Sequence, residues 1–113
     1  MRKLALDVRG IPTGQETSST SLATRLGNTG YDDCFALLDE QATFSIAGNG
    51  YSIAVEFKSG FLFAQIFAPK EKEFIAIEPM TAATNALCSG EGLRVIAPGE
   101  KFIASFRIEV HHT

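Results

Sequence analysis

Hydrophobic and polar residues alternate with a period of two in two segments of the chain, residues 52–57 and 101–110. Because successive side chains of a β-strand point to opposite faces, each segment predicts a strand with one buried face. Residues 61–67 are apolar on both faces apart from Gln65, which predicts a strand covered on both sides. Shorter apolar runs predict further strands at residues 3–8, 34–38, 43–47 and 74–77.

Turn-forming residues separate these runs. Gly48-Asn49-Gly50 tolerates the positive φ angles of a tight hairpin, so the strands on either side are expected to pair. Residues 18–26 have only weak helical periodicity, and we expect them to be extended or a loop. Roughly seven closely spaced strands predict an all-β fold, an antiparallel β-sandwich or barrel. The length allows a single domain over residues 1–113.

Composition narrows the class of protein. The chain is 45% hydrophobic and 20% charged, and its nine Phe supply enough apolar surface for an ordered core. Ten basic against 13 acidic residues leave no basic excess of the kind that nucleic-acid-binding proteins carry. No apolar run approaches the ~18 residues of a membrane span, and the first apolar run is too short for a secretory signal. We therefore expect a cytoplasmic globular protein that binds neither nucleic acid nor membrane.

Few residues are suited to bind a metal or to act as a nucleophile. Cys34 and Cys88 lie far apart without the companions of a zinc site, so we expect ordinary buried thiols. His111 and His112 are the only histidines, and they lie at the C-terminal end, where we expect fraying. No Ser-His-Asp or Cys-His set can be assembled. The sequence predicts neither a metal nor a cofactor.

Glu78 is the leading candidate for chemistry. It follows the apolar run 74–77 and precedes Pro79, and a residue before proline is held in extended geometry. A carboxylate on such a stiff support is suited to act as a positioned acid or base. The alternative is a strand-end glutamate that lies in solvent or bonds to a turn.

Asp32 and Asp33 form a second acidic pair, directly before the apolar run that starts at Cys34. In one interpretation both are turn or cap residues. In the other, one of them accepts hydrogen bonds from a polar substrate.

Four short motifs follow one another along the chain. Residues 11–14 read Ile-Pro-Thr-Gly, and residues 31–35 read Tyr-Asp-Asp-Cys-Phe. Residues 77–87 contain Ile-Glu-Pro-Met-Thr and Thr-Asn-Ala-Leu, and residues 93–100 read Leu-Arg-Val-Ile-Ala-Pro-Gly-Glu. In this order they resemble the C-terminal part of the aldose 1-epimerase (galactose mutarotase) family: its Ile-Pro-Thr-Gly turn, its aromatic-Asp segment, its Glu-Pro-Trp-Thr…Asn-Ala segment and its closing strand.

The resemblance implies a supersandwich of the galactose mutarotase type and a sugar-ring isomerase without a cofactor, which interconverts the α and β anomers of a monosaccharide aldose. In the family a glutamate takes the proton of the anomeric hydroxyl while a histidine protonates the ring oxygen, and the opened ring closes on its other face. Carried over, Glu78 would be the catalytic base, and Asp32, with Asp33 as the alternative, would bind sugar hydroxyls. Thr81 and Asn85 match motif positions and would lie at the substrate-binding site.

One part of the family pattern is missing from this chain. The acid histidine of the family lies upstream of the Ile-Pro-Thr-Gly turn, but only ten residues precede Ile11 and none is His. We therefore expect the C-terminal portion of a larger sandwich, which associates with itself through exposed strands or pairs with a missing N-terminal half. Two alternatives to an isomerase are a non-catalytic carbohydrate-binding sandwich and a sandwich fragment without a ligand site.

Overall fold

Antiparallel β-sheets make up most of the chain in a computed structural model that describes residues 1–6, 12–18 and 30–112. The eight strands of these ranges are β1 (Arg2–Leu6), β2 (Pro12–Ser18), β3 (Tyr31–Ala36), β4 (Ala42–Gly48), β5 (Tyr51–Ser59), β6 (Phe63–Ala68), β7 (Ala76–Met80) and β8 (Ser105–His112). The prediction of an all-β fold is confirmed. The helix α1 (Ala86–Ser89) has four residues, and the described part of the chain contains no helix long and apolar enough to cross a membrane.

The strands form two sheets. A five-stranded sheet has the order β2-β1-β3-β6-β7, and a three-stranded sheet has the order β4-β5-β8. The neighbouring strands in both sheets run antiparallel.

Two hydrophobic clusters lie on opposite faces of the five-stranded sheet. On one face, Ala64 of β6 packs with Val55 and Phe57 of β5, so this cluster joins the two sheets. We call this face the inner face. On the other, outer face, Cys34 and Phe63 pack with other strand residues and with Ala83, from the segment that follows β7. The five-stranded sheet is therefore covered by the second sheet on its inner face and by this segment on part of its outer face.

The predicted hairpin is confirmed. Residues 42–48 of β4 pair with residues 51–57 of β5, and Gly48 lies opposite Tyr51. The two residues between them, Asn49 and Gly50, have φ angles of 52° and 79°. Positive φ at both central residues is the geometry of a two-residue turn whose twist matches the flanking strands.

Several strand limits differ from the prediction. β7 extends past Glu78 to Met80, because β6 offers partners as far as Phe63, which lies opposite Met80. Pro79 is tolerated there because β7 is an edge strand of its sheet in the described part of the chain. β8 begins at Ser105 rather than at residue 101, because β5 ends at Ser59 and leaves the preceding residues no strand to pair with.

The limits of two more strands, β3 and β1, also differ from the predicted ones. The predicted strand at 34–38 is β3, which starts three residues earlier at Tyr31 and ends at Ala36. The strand predicted at 3–8 is confirmed as far as Leu6, and its last two residues lie outside the described ranges.

Some segments were assigned wrongly. Residues 11–14 were expected as a turn. Residues 12–14 instead open strand β2, which pairs with β1, and Ile11 lies outside the described ranges. Residues 93–100, expected as a closing strand, contain no strand, and α1 was not predicted. A helix of four residues has too few positions to produce a periodic pattern. Of residues 18–26, only Ser18 lies in the described ranges, as the last residue of β2.

Candidate functional site

Three polar side chains form a row across the outer face of the five-stranded sheet. Gln65 of β6 lies opposite Cys34 of β3 on one side and opposite Glu78 of β7 on the other. Residues opposite each other in antiparallel strands share a face, and Asp32 precedes Cys34 by two positions, so it shares this face as well. Strand spacing puts the Cα atoms of Asp32 and Glu78 about 12 Å apart. We call Asp32, Gln65 and Glu78 the polar row.

Gln65 connects the two carboxylates of the polar row. Its Nε2 donates a hydrogen bond to Oδ1 of Asp32 over 2.6 Å. Its Oε1 is buried and has no hydrogen-bond partner within the described ranges. A buried acceptor without a partner costs roughly 1–3 kcal/mol of stability. Because Oε1 is buried, a ligand hydroxyl can donate to it and recover this free energy only if the Gln65 side chain turns toward the surface.

The sequence interpretation missed Gln65 as a site residue, although a signal was present. It is the single polar residue in the run 61–67, and the other six residues are apolar. A polar side chain in a strand with two covered faces must either find a partner or serve a ligand.

An aromatic pair borders the polar row. Phe67 lies opposite both Asp32 and Ala76, which puts it on the outer face beside Asp32. Its ring lies 5.9 Å from the ring of Phe74, measured between centroids, and Phe74 is 51% exposed. The outer face therefore presents two carboxylates, an amide and accessible aromatic surface next to one another.

The other end of the outer face is closed by residues 81–92. Ala83 is buried in the cluster with Cys34 and Phe63. The backbone of Gly92 lies so close to the Phe63 ring that a β-carbon at this position would clash with it. This segment therefore separates the buried thiol of Cys34 from the open part of the face that holds the polar row.

Burial controls the chemistry of Cys34. It raises the pKa of the Cys34 thiol, the backbone N–H of Thr84 partly offsets this by hydrogen bonding, and the nearby Glu91 carboxylate raises the pKa further. Cys88, in contrast, is exposed, so the expectation of two buried thiols is wrong for this residue. The reason is its place in α1, a helix with Ala86 as its buried residue.

Asp33 does not belong to the polar row. It alternates with Asp32 in β3, so it lies on the inner face, where its Oδ1 is 3.2 Å from Nζ of Lys3. Both aspartates lie within β3 rather than in a turn or a cap, which excludes that interpretation of the pair. Of the two, Asp32 is the one that shares a face with Glu78.

Thr81 and Asn85 lie beyond the end of β7. Thr81 is the first residue after the strand and is exposed. Asn85 is the N-cap residue of α1 with a φ of 66°, and its side chain makes no capping hydrogen bond. Asn is one of the few residues that adopt this left-handed conformation readily, so its place in the fold accounts for the residue type.

Both histidines lie in the other sheet. His111 and His112 belong to β8, opposite Ser52 and Tyr51 of β5, so the expectation of a frayed end is wrong. Nε2 of His111 lies 3.4 Å from Oε2 of Glu109. Cross-strand pairing thus holds the two imidazoles in the three-stranded sheet, whereas the polar row lies on the outer face of the five-stranded sheet.

No group of three or more His, Cys, Asp or Glu side chains among residues 1–6, 12–18 and 30–112 is arranged to hold a metal ion. Comparison of the chain with protein-family models, with curated proteins and with solved structures finds no match.

Proposed function

We propose that the outer face of the five-stranded sheet binds a monosaccharide, and that the protein is a sugar-ring isomerase of the aldose 1-epimerase type. In this proposal the two sheets are part of a β-sandwich of the galactose mutarotase type. The supporting observation is that Gln65 lies between two carboxylates on one face, with a buried carbonyl oxygen that has no partner among the residues the structure describes.

The polar row has the hydrogen-bonding character that a sugar needs. Ionised carboxylates accept hydrogen bonds only. Oε1 of Gln65, which has no partner within the described ranges, is also an acceptor once the side chain turns toward a ligand. The hydroxyl groups of a sugar supply the donors. Phe67 and Phe74 offer apolar surface for the C–H groups of the ring, in keeping with binding sites that combine aromatic side chains with a few polar groups.

Glu78 is the proposed base. Its exposed side chain lies at one end of the polar row, where it can reach the anomeric hydroxyl of a sugar bound by Asp32 and Gln65. The acid that protonates the ring oxygen has to come from outside this face, since both histidines lie in β8. Because a missing proton-transfer partner costs about 10²–10⁴-fold in rate, we expect slow catalysis by this chain alone.

The second candidate function is carbohydrate binding without catalysis. The placement of His111 and His112 in the other sheet favours it, because binding needs only the acceptors of the polar row. The two candidates differ in one measurable property, the rate at which bound sugar exchanges between its anomers.

Exchange spectroscopy by NMR on an α/β mixture of an aldose tests the proposal, since it reports binding and anomer exchange in one sample. If the protein is an isomerase, the anomers should exchange faster with protein than in buffer. Glu78→Gln should then lower the protein-catalysed rate about 10²–10⁴-fold, toward the rate in buffer. Binding without enhanced exchange indicates the second function. Absence of both with a panel of aldoses contradicts both proposals.

Asp32→Asn and Asp33→Asn form a matched pair for the same experiment. Loss of a hydrogen bond to a charged group costs roughly 1.5–3 kcal/mol, so we expect Asp32→Asn to weaken sugar binding about tenfold or more. Asp33→Asn should leave the affinity unchanged, since Asp33 lies on the inner face beside Lys3. Equal effects of the two variants would show that the polar row is not the binding site.

A further inference from the structure

β8 forms one edge of the three-stranded sheet. Among the strands of the described ranges, its partner is β5, and no strand lies on its other side. Such an edge presents unpaired backbone N–H and C=O groups to solvent, and a further strand can pair with them.

The hydrophobic layer of this sheet continues onto β8 without cover. Phe106 and Ile108 lie opposite Phe57 and Val55 of β5, so all four share the face that packs toward the five-stranded sheet. Phe57 is 1% exposed and Val55 is 7% exposed, but the exposed fractions rise to 48% for Phe106 and 58% for Ile108. Val110 continues the series at 62%. These two apolar side chains of β5 are therefore buried, whereas those of the neighbouring strand β8 are largely exposed.

The opposite face of β8 carries charged side chains, a positive one at Arg107 and a negative one at Glu109. Nη2 of Arg107 lies 2.7 Å from Oε2 of Glu56 and 3.3 Å from Oε1 of Glu109. The hydrogen bond from Lys58, together with that from Arg107 and the positive charge of both residues, holds the pKa of Glu56 below its usual value. Arg107 and Glu109, two positions apart along the edge, thus carry opposite charges on either side of Ile108.

We propose that β8 pairs with β8 of a second copy of this chain, antiparallel about a two-fold axis at Ile108. In this register Ile108 lies opposite the partner's Ile108, and Phe106 lies opposite the partner's Val110. On the charged face Arg107 lies opposite the partner's Glu109, and by symmetry the partner's Arg107 lies opposite Glu109. The edge is self-complementary in both shape and charge, as a two-fold interface requires.

Registers with the axis one residue to either side of Ile108 lack this complementarity. An axis at Arg107 puts two arginines opposite each other, and an axis at Glu109 puts two glutamates opposite each other. Like charges directly opposite are destabilising in a sheet. A shift by a single residue places the apolar face of one copy beside the charged face of the other. The charge order of β8 therefore disfavours axes at Arg107 and Glu109 and favours the axis at Ile108, which pairs these two charged residues with each other.

Pairing in this register joins two three-stranded sheets into one of six strands. It satisfies the free backbone groups of both edges and covers part of Phe106, Ile108 and Val110. The interaction involves the three-stranded sheet alone, so it stands independently of the polar row and of any function proposed for it.

Cysteine cross-linking tests the register. Residues opposite each other in an antiparallel pair have Cα atoms about 4.5–5.5 Å apart, within the range of about 4.4–6.8 Å that a disulfide spans. In a Cys88→Ala background, Ile108→Cys should therefore form a covalent dimer on mild oxidation. Val110→Cys is the matched control, because it is similarly exposed but its two copies would be about 14 Å apart in this register. A covalent dimer of Val110→Cys formed as fast as that of Ile108→Cys would overturn the register.

Sedimentation velocity from low to high micromolar concentration tests the dimer itself. We expect the unmodified chain to shift from monomer to dimer, and Ile108→Lys, which places two like charges at the axis, to remain monomeric. Ile103→Lys is the control, since Ile103 is 70% exposed and precedes β8. Far-UV circular dichroism checks that the variants fold. A monomeric unmodified chain over this range, or a dimer that persists in folded Ile108→Lys, would refute the proposal.

Discussion

At the scale of single residues, the two thiols have contrasting surroundings. Cys34 is buried beneath residues 81–92, and Cys88 is exposed on α1. Burial disfavours the charged thiolate, which is why it raises the pKa of Cys34. The same residue type thus has two different environments in one chain.

This difference predicts a pH dependence of stability. The folded-state pKa of Cys34 is raised, so the stability contributed by its neutral form is present below the unfolded pKa of about 8.5 and is lost as pH rises above it. The slope due to one proton is at most about 1.4 kcal/mol per pH unit. Urea denaturation between pH 7 and pH 10 should show a smaller decline for Cys34→Ala than for Cys88→Ala. Equal declines in the two variants would contradict this prediction.

Alternation of side chains along a strand decides which acidic residue can serve the site. Asp32 and Asp33 are equivalent in the sequence, and both were candidates for binding sugar hydroxyls. In β3 they point to opposite faces, and the register of β3 with β6 and β7 puts Asp32 on the face of Gln65 and Glu78. A one-residue shift in this register would exchange their positions. The residues alone locate the pair, and it was the resemblance that ranked Asp32 ahead of Asp33; the face of each is decided by the register.

At the scale of elements, the β4–β5 hairpin follows most directly from local sequence. Asn49 and Gly50 adopt the positive φ angles that their residue types permit, and the strand pattern on either side agrees with the observed pairing. Local and tertiary preferences coincide here, which is why the prediction was confirmed.

Substitution of the central residue Gly50 and of the flanking residue Gly48 should have different effects on the free energy of unfolding. Gly50 has a φ of 79° with open space around its Cα, so Gly50→Ala should destabilise the chain by about 1 kcal/mol through backbone strain alone. Gly48 also has open space but lacks a positive φ, so Gly48→Ala should be neutral or stabilising by up to about 0.5 kcal/mol. Urea midpoints of both variants provide the test, and an equal loss in both would show that the turn geometry is not the cause.

Elements whose limits depend on a partner strand were predicted less well. β7 continues to Met80 because β6 pairs with it that far, and β8 begins only where β5 can pair with it. Neither limit is encoded within the segment itself. The alternating pattern of residues 101–104 is compatible with a strand, but the hydrogen bonds of a strand come from a neighbour.

At the scale of the whole molecule, the two proposed surfaces lie on different sheets. The polar row occupies the outer face of the five-stranded sheet, which is opposite the face that packs on the second sheet. The proposed dimer edge belongs to β8 of the three-stranded sheet. The fold therefore separates the proposed sugar site from the proposed interface.

We expect the two surfaces to be energetically independent, because distant sites without shared partners usually have additive effects. Glu78→Gln should leave the sedimentation coefficient unchanged, and Ile108→Lys should leave the dissociation constant for the aldose unchanged within about twofold. Titration of both variants by NMR, at a concentration where the unmodified chain is dimeric, measures this. A folded Ile108→Lys that no longer binds sugar would show instead that the site depends on the dimer.

The sequence alone determined the all-β class, the hairpin at Asn49-Gly50 and the candidacy of Glu78. These follow from side-chain alternation and from backbone preferences, which act over a few neighbouring residues. Only the tertiary structure decided that Asp32 rather than Asp33 shares a face with Glu78, that Gln65 lies between them, and that the histidines lie in the other sheet. Strand order and register join residues as far apart in the sequence as Asp32 and Glu78, and no local pattern specifies them.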